Sequence, residues 1–523
     1  MSNTDGCVGA SSVWPFKTGR RQLPFICFGI GLCAALTAFT ADAQTSDLSR
    51  ANAQDASRPL AVQHVTVVDV ASGRLLRDQT VIVLGQRVAA AGPSSRVRAP
   101  AGAVRINGRG KFLIPGLWDM HSHVVDPDAP GGPEVSFPLF VANGVTGIRD
   151  MATSSLETLL RWRTRVRTHE VIGPRMVVTG PILDGPPLRW LATSVAVRTP
   201  EDARRLVDSL AAEGADFIKV YELLVPQVFS AVLEQAKLRG LPVVGHVPAA
   251  VDAVEASDAG VRSFEHLANL ELACSAEADT LRAARTALIA KAVDRTELTR
   301  QLRRGQRGRA MDTYDAARCG AMLRRFAHNG TWQVPTLINS ARRTVRWDRT
   351  ARYRAALRFV PPAYRAAWEP ATVEADSFSA DDAAYWRRQH AWYFRLVKEM
   401  RAAHVPLLAG TDLSTPWIIA GFALHEELAL LVEAGLTPLE ALRTATLNPA
   451  KYFGETARFG SVAPGKLADM VLLDADPIAD IRNTSRIRAV IADGRYLDRR
   501  ALDALLAQAE RAATGTPVPR PGR

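Results

Sequence analysis

The sequence predicts an α/β protein with a (β/α)8 TIM barrel and a small β-sandwich domain built from both ends of the chain. Three observations support this prediction. The middle of the chain alternates short apolar runs with helical stretches, which is typical of βα units. Runs of β-branched residues with turns occur only near the two ends. The 523 residues, of which 47% are hydrophobic and 23% charged, suffice for two globular units.

The first 43 residues resemble a cleavable export signal. A basic stretch from Lys17 to Arg21 precedes an apolar run over 23–40, and small residues at Ala41-Asp42-Ala43 offer a cleavage site near Ala43. The alternative is a membrane anchor, but the run is near the lower length limit for spanning a bilayer and contains Pro24. We therefore expect an exported protein, periplasmic or secreted, without a stable membrane anchor.

The two ends of the remaining chain carry the strands of the predicted β-sandwich, over 60–114 and 456–500. Gly85-Gln86 lies between two β-branched runs and predicts a hairpin. The same pattern returns only over 469–474 and 487–494. One domain would therefore combine both ends.

The barrel domain is expected over 115–455. Segments such as 200–214 and 226–240 have helical spacing and end in glycine, as helices do. Eight βα units would close into a barrel whose chemistry lies at the carboxyl ends of the strands. The predicted strands are the run ending at His121-Ser122-His123, then Gly147–Arg149, Arg175–Thr179, Phe217–Tyr221, Pro242–His246, Ser263–His266, Trp332–Pro335 and Pro406–Asp412.

Two connections, at about 268–331 and 337–404, are far longer than one helix requires. The second is dense in aromatic residues. The interpretation we favour is that these aromatic residues form the hydrophobic side of extra helices. The alternative is that the insertion forms a helical lid that shapes an apolar substrate pocket.

Residues able to bind a metal gather at the predicted strand ends. His121 and His123 are two positions apart on one strand and therefore face the same side. The chain has ten histidines, and four of them fall at strand ends. One such histidine would be an ordinary core or surface residue, but joint placement at one end of a barrel predicts a metal site. The set is His121, His123, Lys219, His246, His266 and Asp412.

Over roughly 60 to 495 the chain resembles the amidohydrolase superfamily. The similarity is closest to the branch with imidazolonepropionase-like proteins and Xaa-Pro dipeptidases. Imidazolonepropionase works with one metal and lacks a counterpart of Lys219, so this lysine favours the dipeptidase-like relatives. The matching stretches are Gly116–His123, Phe217–Tyr221, Gly245-His246, Phe264–His266, Ala409–Asp412, Thr437–Leu442, Thr446–Ala450 and Gly465–Asp469.

The resemblance implies two divalent metal ions, expected to be zinc, bridged by a carbamylated Lys219. An ammonium group cannot ligate a cation, whereas a carbamate supplies two anionic oxygens. The alternative is an ordinary salt-bridge lysine, but a lysine inside a barrel is unfavourable unless it is modified or paired. The buried ion would be held by His121, His123 and Asp412, and the more exposed ion by His246 and His266.

The resemblance also implies amide hydrolysis by a metal-bound hydroxide, with Asp412 as base and then acid. A dipeptide such as Xaa-Pro or an N-acyl amino acid is the expected substrate. Tyr221 and Arg149 are candidates for binding its carboxylate. The alternative for Tyr221 is packing at the mouth of the barrel, and the alternative for Arg149 is a structural ion pair. Hydrolysis of cyclic amides, lactones or esters, or a non-catalytic secreted binding protein, are rival functions. A serine hydrolase is disfavoured because no Gly-x-Ser-x-Gly elbow is present.

Loss of the leader would leave two cysteines, Cys274 and Cys319. In an oxidising compartment this pair has a single connectivity, so the alternatives are one disulfide or two buried thiols.

The net charge of +12 raises the question of nucleic acid or anionic membranes as partners. The excess arginine is scattered, and no recognisable nucleic-acid module combines aromatic and basic residues. We expect a small-molecule or dipeptide substrate and no nucleic acid; a homo-oligomer is left open.

Overall fold

The structure, a computed structural model, describes residues 58–125, 129–344, 351–368 and 380–515. The described residues form one compact unit. The export signal expected over 1–43 lies outside the described residues and stays a prediction. Within the described ranges, none of the helices combines the length and hydropathy needed to cross a membrane.

One mixed sheet joins strands from the two ends of the chain. Val471 lies opposite Ile114 in an antiparallel pair. Aliphatic side chains of these strands, among them Val65, Val81 and Leu472, form a hydrophobic core of their own. The strands are β1 (Leu60–Val68), β2 (Leu75–Leu84), β3 (Arg87–Pro93), β4 (Val104–Asn107), β5 (Phe112–Pro115), β15 (Met470–Leu473), β16 (Ile487–Ala492) and β17 (Arg495–Leu497), in the order β17-β16-β15-β5-β1-β2-β3 with β4 paired to β1.

Two tight turns in this sheet follow from their sequences. The hairpin predicted at Gly85-Gln86 is confirmed, because Leu84 pairs with Arg87. Between β16 and β17 the chain turns at Asp493-Gly494, where φ is +51° and +79°. An Asp-Gly pair tolerates two positive φ values, which suit the twist of a two-residue hairpin.

The middle of the chain supplies parallel strands in two sheets. They coincide with the predicted strands, except that β9 and β10 come from a proline-rich segment without a strand pattern. Residues 406–412 contribute a single parallel bridge, between Leu407 and Gln333. The first sheet is β6 (Leu117–Ser122), β7 (Val145–Asp150) and β8 (Arg175–Val178); the second, in spatial order, is β10 (Ser194–Ala196), β9 (Ile182–Asp184), β11 (Ile218–Val220), β12 (Val243–Gly245), β13 (Ser263–Glu265) and β14 (Trp332–Val334).

Several helices begin and end at residues that favour helix caps. Thr199 accepts a hydrogen bond from the backbone of Asp202 at the start of Pro200–Glu213, and Gly214 ends this helix at φ +93°. Thr437 and Glu440 form a reciprocal capping box. The helices outside the insertions are α1 (Gly132–Ala142), α2 (Leu156–Arg167), α3 (Pro200–Glu213), α4 (Pro226–Leu238), α5 (Ala253–Asp258), α15 (Phe422–Glu433), α16 (Pro438–Thr444), α17 (Leu447–Tyr452) and α18 (Arg499–Gly515).

Both long insertions are helical. Their aromatic residues enter the main hydrophobic core, as Trp392 and Phe359 do. The insertion helices are α6 (Leu270–Ala273), α7 (Ala278–Ala290), α8 (Arg295–Gln301), α9 (Gly308–Asp312) and α10 (Ala316–Asn329), with a π-helical turn at Leu302–Arg307, and then α11 (Leu337–Ala341), α12 (Ala351–Ala356), α13 (Pro362–Trp368) and α14 (Ala380–Ala402).

A disulfide joins Cys274 to Cys319 across 45 residues of the first insertion. Both cysteines are fully buried. The bond therefore ties the short helix α6 to α10, which lie in the same core.

Replacing both cysteines by serine is expected to lower the free energy of unfolding by about 4 kcal/mol, because the unfolded chain regains the entropy of the open loop. Urea titration of the wild type and the double variant measures this difference, and the wild type unfolded with a reductant should match the double variant. Two reactive thiols in the unfolded, unreduced wild type would contradict the disulfide.

Candidate functional site

Strand β6 fixes the first two histidines through a buried aspartate. Asp119 accepts hydrogen bonds from the backbone amide (3.0 Å) and hydroxyl (2.6 Å) of Thr411. The amide of Asp412 in turn donates to the carbonyl of His121 at 2.8 Å. Burial raises the pKa of Asp119 to about 6 despite these hydrogen bonds. The segment that carries Asp412 is thus held directly against the strand that carries His121.

Asp412 lies at the centre of three predicted metal ligands. Its Oδ1 is 3.3 Å from Nε2 of His121 and 3.5 Å from Nε2 of His123. Its Oδ2 is 4.0 Å from Nδ1 of His266. Candidate ligand atoms of His121, His266 and Asp412 all lie within 4.8 Å of one another. One divalent ion could contact all three of these groups.

The other two predicted ligands complete the cluster. Lys219 on β11 places Nζ 3.5 Å from Nε2 of His121. The ring of His246, just after β12, lies 4.9 Å from that of His266. Burial lowers the pKa of Lys219 to about 8 and that of His246 to about 4. All six predicted ligand residues therefore meet at the carboxyl ends of parallel strands.

The donor set suits divalent metal ions. Imidazole nitrogens and carboxylate oxygens are the ligands that zinc and similar ions accept. Nε2 of His246 is buried and has no hydrogen-bond partner among the residues the structure describes. A buried polar atom without a partner is unfavourable, and a bound cation would satisfy it.

Two fully buried residues orient His121 from behind. Oε2 of Glu265 lies 2.7 Å from Nδ1 of His121, and Oε1 of Glu265 accepts a hydrogen bond from Arg149 at 2.8 Å. Burial alone would raise the pKa of Glu265, but Arg149 and His121 hold it well below its usual range. A charged Glu265 favours the tautomer with a proton on Nδ1, which leaves Nε2 free to ligate.

Arg149 does not line the cavity, so the structure does not bring it to a substrate. Its guanidinium is fully buried and also donates to the carbonyl of Met120 and the hydroxyls of Ser263 and Tyr452, at 2.7–3.0 Å. The structural ion pair, the alternative interpretation of this residue, is the arrangement observed.

Sequence analysis missed three polar residues beside the ligands. Asn339 and Thr415 donate hydrogen bonds to Oδ2 of Asp412, and the hydroxyl of Thr336 lies 2.7 Å from Nδ1 of His266. Only the position of Thr336, two residues after the end of strand β14, could have indicated a role. Asn339 and Thr415 follow no strand and carry no such signal.

A cavity of about 1070 Å³ opens over the cluster. Tyr221 lines it, with its ring 4.1 Å from that of His246 and its hydroxyl accepting a hydrogen bond from Trp190. Both insertions contribute walls, so Trp386 and Tyr393 belong to the core and to the cavity at once. The lining is only partly apolar, however. It also includes the arginines Arg189, Arg303, Arg307, Arg342 and Arg343.

Comparison with known proteins shows what this chain is similar to. The amidohydrolase family model matches residues 393–497. The chain is 41% identical over 76 residues to adenine deaminase 2 of Jannaschia sp. (strain CCS1) and 44% identical over 78 residues to imidazolonepropionase of Pyrobaculum arsenaticum. These matches cover 14% and 15% of this chain and 12% and 19% of the two proteins, so each spans less than a fifth of the relative.

Solved structures extend the likeness to most of the chain. A bottromycin amidohydrolase superposes with a TM-score of 0.65 at 26% identity, covering 89% of this chain and 93% of that one. A Xaa-Pro dipeptidase with bound methionine superposes with a TM-score of 0.60 at 18% identity, covering 84% and 100%, and shows the fold alone. The resemblance to the amidohydrolase superfamily is confirmed, by the family model over residues 393–497 and by the bottromycin amidohydrolase over most of the chain.

Proposed function

We propose that this chain, which matches the amidohydrolase family in sequence over 393–497 and amidohydrolase structures in fold, is a metal-dependent hydrolase of amide bonds. The observation that carries the proposal is the meeting of six candidate ligands from five separate segments around Asp412. So many buried ionisable groups in one place would destabilise a purely structural core, since each is unfavourable to bury without a partner. Metal binding explains all of them together.

The family resemblance implies two zinc-like ions, and we assign the candidate ligands to them accordingly. The chemistry that bound ions would supply is polarisation of the scissile carbonyl and acidification of water. Lys219 would join the two sites as a carbamate, formed when its neutral amine adds carbon dioxide and releases a proton. Its lowered pKa, about 8, supports this step because a neutral fraction is present near neutral pH. The buried ion would be held by His121, His123 and Asp412, the more exposed ion by His246 and His266.

The side chains of the site have separate tasks in amide cleavage. Asp412 would accept a proton from the attacking water and return it to the leaving nitrogen. Burial raises the pKa of Tyr221 to about 12, so its hydroxyl keeps its proton and can donate to a substrate oxygen. The hydrogen bond from Trp190 to Tyr221, at 3.1 Å, would hold that hydroxyl in place.

We also infer that seven of the parallel strands, β6, β7, β8, β11, β12, β13 and β14, belong to one eight-stranded barrel. The backbone amide of Met120 on β6 donates to the carbonyl of Ala409, and Gln333 on β14 bridges Leu407. Residues 406–412 would thus be the eighth strand between β14 and β6. The mixed sheet with its separate core would be the small β-sandwich beside this barrel, over 60–114 and 456–500.

The favoured substrate is a dipeptide of the Xaa-Pro kind or an N-acyl amino acid. The names of the structural neighbours, a Xaa-Pro dipeptidase and a bottromycin amidohydrolase, support an amide over an ester or lactone. A small-molecule substrate and no nucleic acid are proposed as partners. Export is proposed from the leader sequence, and the disulfide supports it because such bonds persist in oxidising compartments.

Metal analysis coupled to a substrate panel tests the proposal. We expect more than one divalent ion per chain, release of free amino acid from dipeptides or N-acyl amino acids, and loss of about 10³-fold in rate when the ions are chelated, since such ions supply several kcal/mol. His266→Ala should reproduce the loss, and His328→Ala, on the exposed side of α10, should not.

Activity confined to lactones or esters would favour the rival hydrolase. Metal-loaded protein without any turnover would favour a binding protein. Protein that takes up no metal would overturn the proposal as a whole.

A further inference from the structure

Three arginines of the cavity have no carboxylate partner among the residues that the structure describes. Arg189, Arg303 and Arg343 line the same space as the metal-binding cluster, and no ion pair joins any of them to an acidic residue within the described ranges. By contrast, Arg307 of the same wall pairs with Glu222 at 3.0 Å and with Glu271 at 3.3 Å. The cavity wall is therefore more cationic than its own ion pairs require.

Two of these guanidiniums share one aromatic ring. The Cζ of Arg343 lies 4.2 Å, and that of Arg303 4.5 Å, from the centre of the Trp386 ring. Arg189 is similarly placed 5.0 Å from the centre of the Trp190 ring. An aromatic face holds a guanidinium by cation–π attraction and leaves its N–H groups available at the edge. The three forks are thus held in place without being hydrogen-bonded to acids.

The three arginines also act on one another. Burial, followed by repulsion from Arg342, Arg303 and Arg189, lowers the pKa of Arg343 well below its usual range. Like charges gathered in a partly buried wall destabilise the fold unless something offsets them. Among the described residues the only acids lining this cavity are Glu222, already paired with arginines, and Asp412 in the ligand cluster. The missing negative charge would arrive with a ligand.

We propose that Arg189, Arg303 and Arg343 form an anion subsite that selects substrates carrying a second carboxylate. The inference rests on the proposed amide hydrolysis and narrows its substrate class to amides of dicarboxylates, such as an N-acylated acidic amino acid. The planar guanidinium fork matches a carboxylate with two parallel hydrogen bonds. A single amino acid carboxylate, which the hydroxyl of Tyr221 can already receive, would not need three further cations.

Matched substrates that differ by one charge test the subsite in the metal-loaded enzyme. One pair is N-acetylglutamate and N-acetylglutamine; the other is N-succinylproline and its succinamide analogue. We expect kcat/KM to favour the dicarboxylate of at least one pair by about tenfold to a hundredfold, as for hydrogen bonds to charged groups. In Arg303→Gln/Arg343→Gln this preference should fall below about threefold while the neutral substrate is little affected.

Arg309→Gln is the matched control. Arg309 lies in the same insertion as Arg303, but it is half exposed and pairs with Glu277. It should keep the preference. If the double variant does not fold, Arg343→Lys keeps the charge without the fork and should retain only part of the preference. Equal loss in Arg309→Gln would mean that general surface charge causes the effect, and would overturn the subsite.

A binding measurement separates this proposal from the proposed hydrolysis. Calorimetric titration should show glutarate binding to the metal-loaded protein at least about tenfold more tightly than its monoamide, with the difference lost in the double variant and weakened by salt. That result without any amide turnover would support the subsite and contradict the hydrolase. Turnover of neutral amides with equal binding of the two probes would support the hydrolase and overturn the subsite.

Discussion

Replacing Lys219 by alanine is expected to remove one or both metal ions and to slow amide hydrolysis by about 10³-fold or more, because the bridging ligand and the electrostatic stabilisation it supports are lost together. Lys219 is fully buried, and its Nζ lies 3.5 Å from Nε2 of His121. Elemental analysis and initial rates measure both effects on the same preparation.

Lys237→Ala is the matched control, since this lysine is exposed on the helix that follows the same strand. It should leave metal content and rate unchanged. Protein equilibrated with 13C-labelled bicarbonate should give a carbamate signal in the wild type and in Lys237→Ala, but not in Lys219→Ala. Unchanged metal content in Lys219→Ala would refute the bridging role.

Replacing Arg149 by methionine is expected to lower the free energy of unfolding by about 3–5 kcal/mol, because it leaves the Glu265 carboxylate buried without its charged partner. Arg149 and Glu265 are both fully buried, and Arg149 makes four hydrogen bonds to Met120, Ser263, Glu265 and Tyr452. Denaturant titration of the metal-free protein measures the loss.

The same change should reach the metal site. Glu265 would no longer be held against His121, and loss of such an orienting partner weakens metal affinity by about 10–100-fold. Arg205→Met, which removes an exposed ion pair with Asp202 on α3, should cost no more than about 1 kcal/mol and leave metal affinity unchanged. Equal destabilisation by the two changes would show that the buried Arg149–Glu265 pair contributes no more to stability than the exposed Arg205–Asp202 pair.

The cluster of candidate ligands could be predicted because its members obey a simple geometric rule. His121, His246 and His266 each lie at the carboxyl end of an apolar run, and parallel strands bring those ends to one edge. Arg149 obeys the same rule but points into the core, since a strand end alone does not say which face a side chain takes. Its role therefore had to come from its contacts.

The proposed anion subsite of Arg189, Arg303 and Arg343 could not be predicted from the sequence, for a different reason. Arg303 and Arg343 lie in separate insertions, 40 positions apart in the chain, and meet only through the Trp386 ring. Aromatic density in the second insertion favoured the hydrophobic side of extra helices, with a lid over an apolar pocket as the alternative, and the aromatic residues lie both in the core and in the cavity lining. What sequence periodicity does not contain is the stacking of basic residues on those rings.

The pairing of β5 with β15 has a consequence for biosynthesis. β5 continues within two residues into β6, and its partner in the sheet is Met470–Leu473, which also anchors Gly116 through the carbonyl of Asp469. Met470–Leu473 is synthesised long after His121 has emerged from the ribosome. The sheet that supports strand β6 therefore stays incomplete in the nascent chain until β15 has been synthesised.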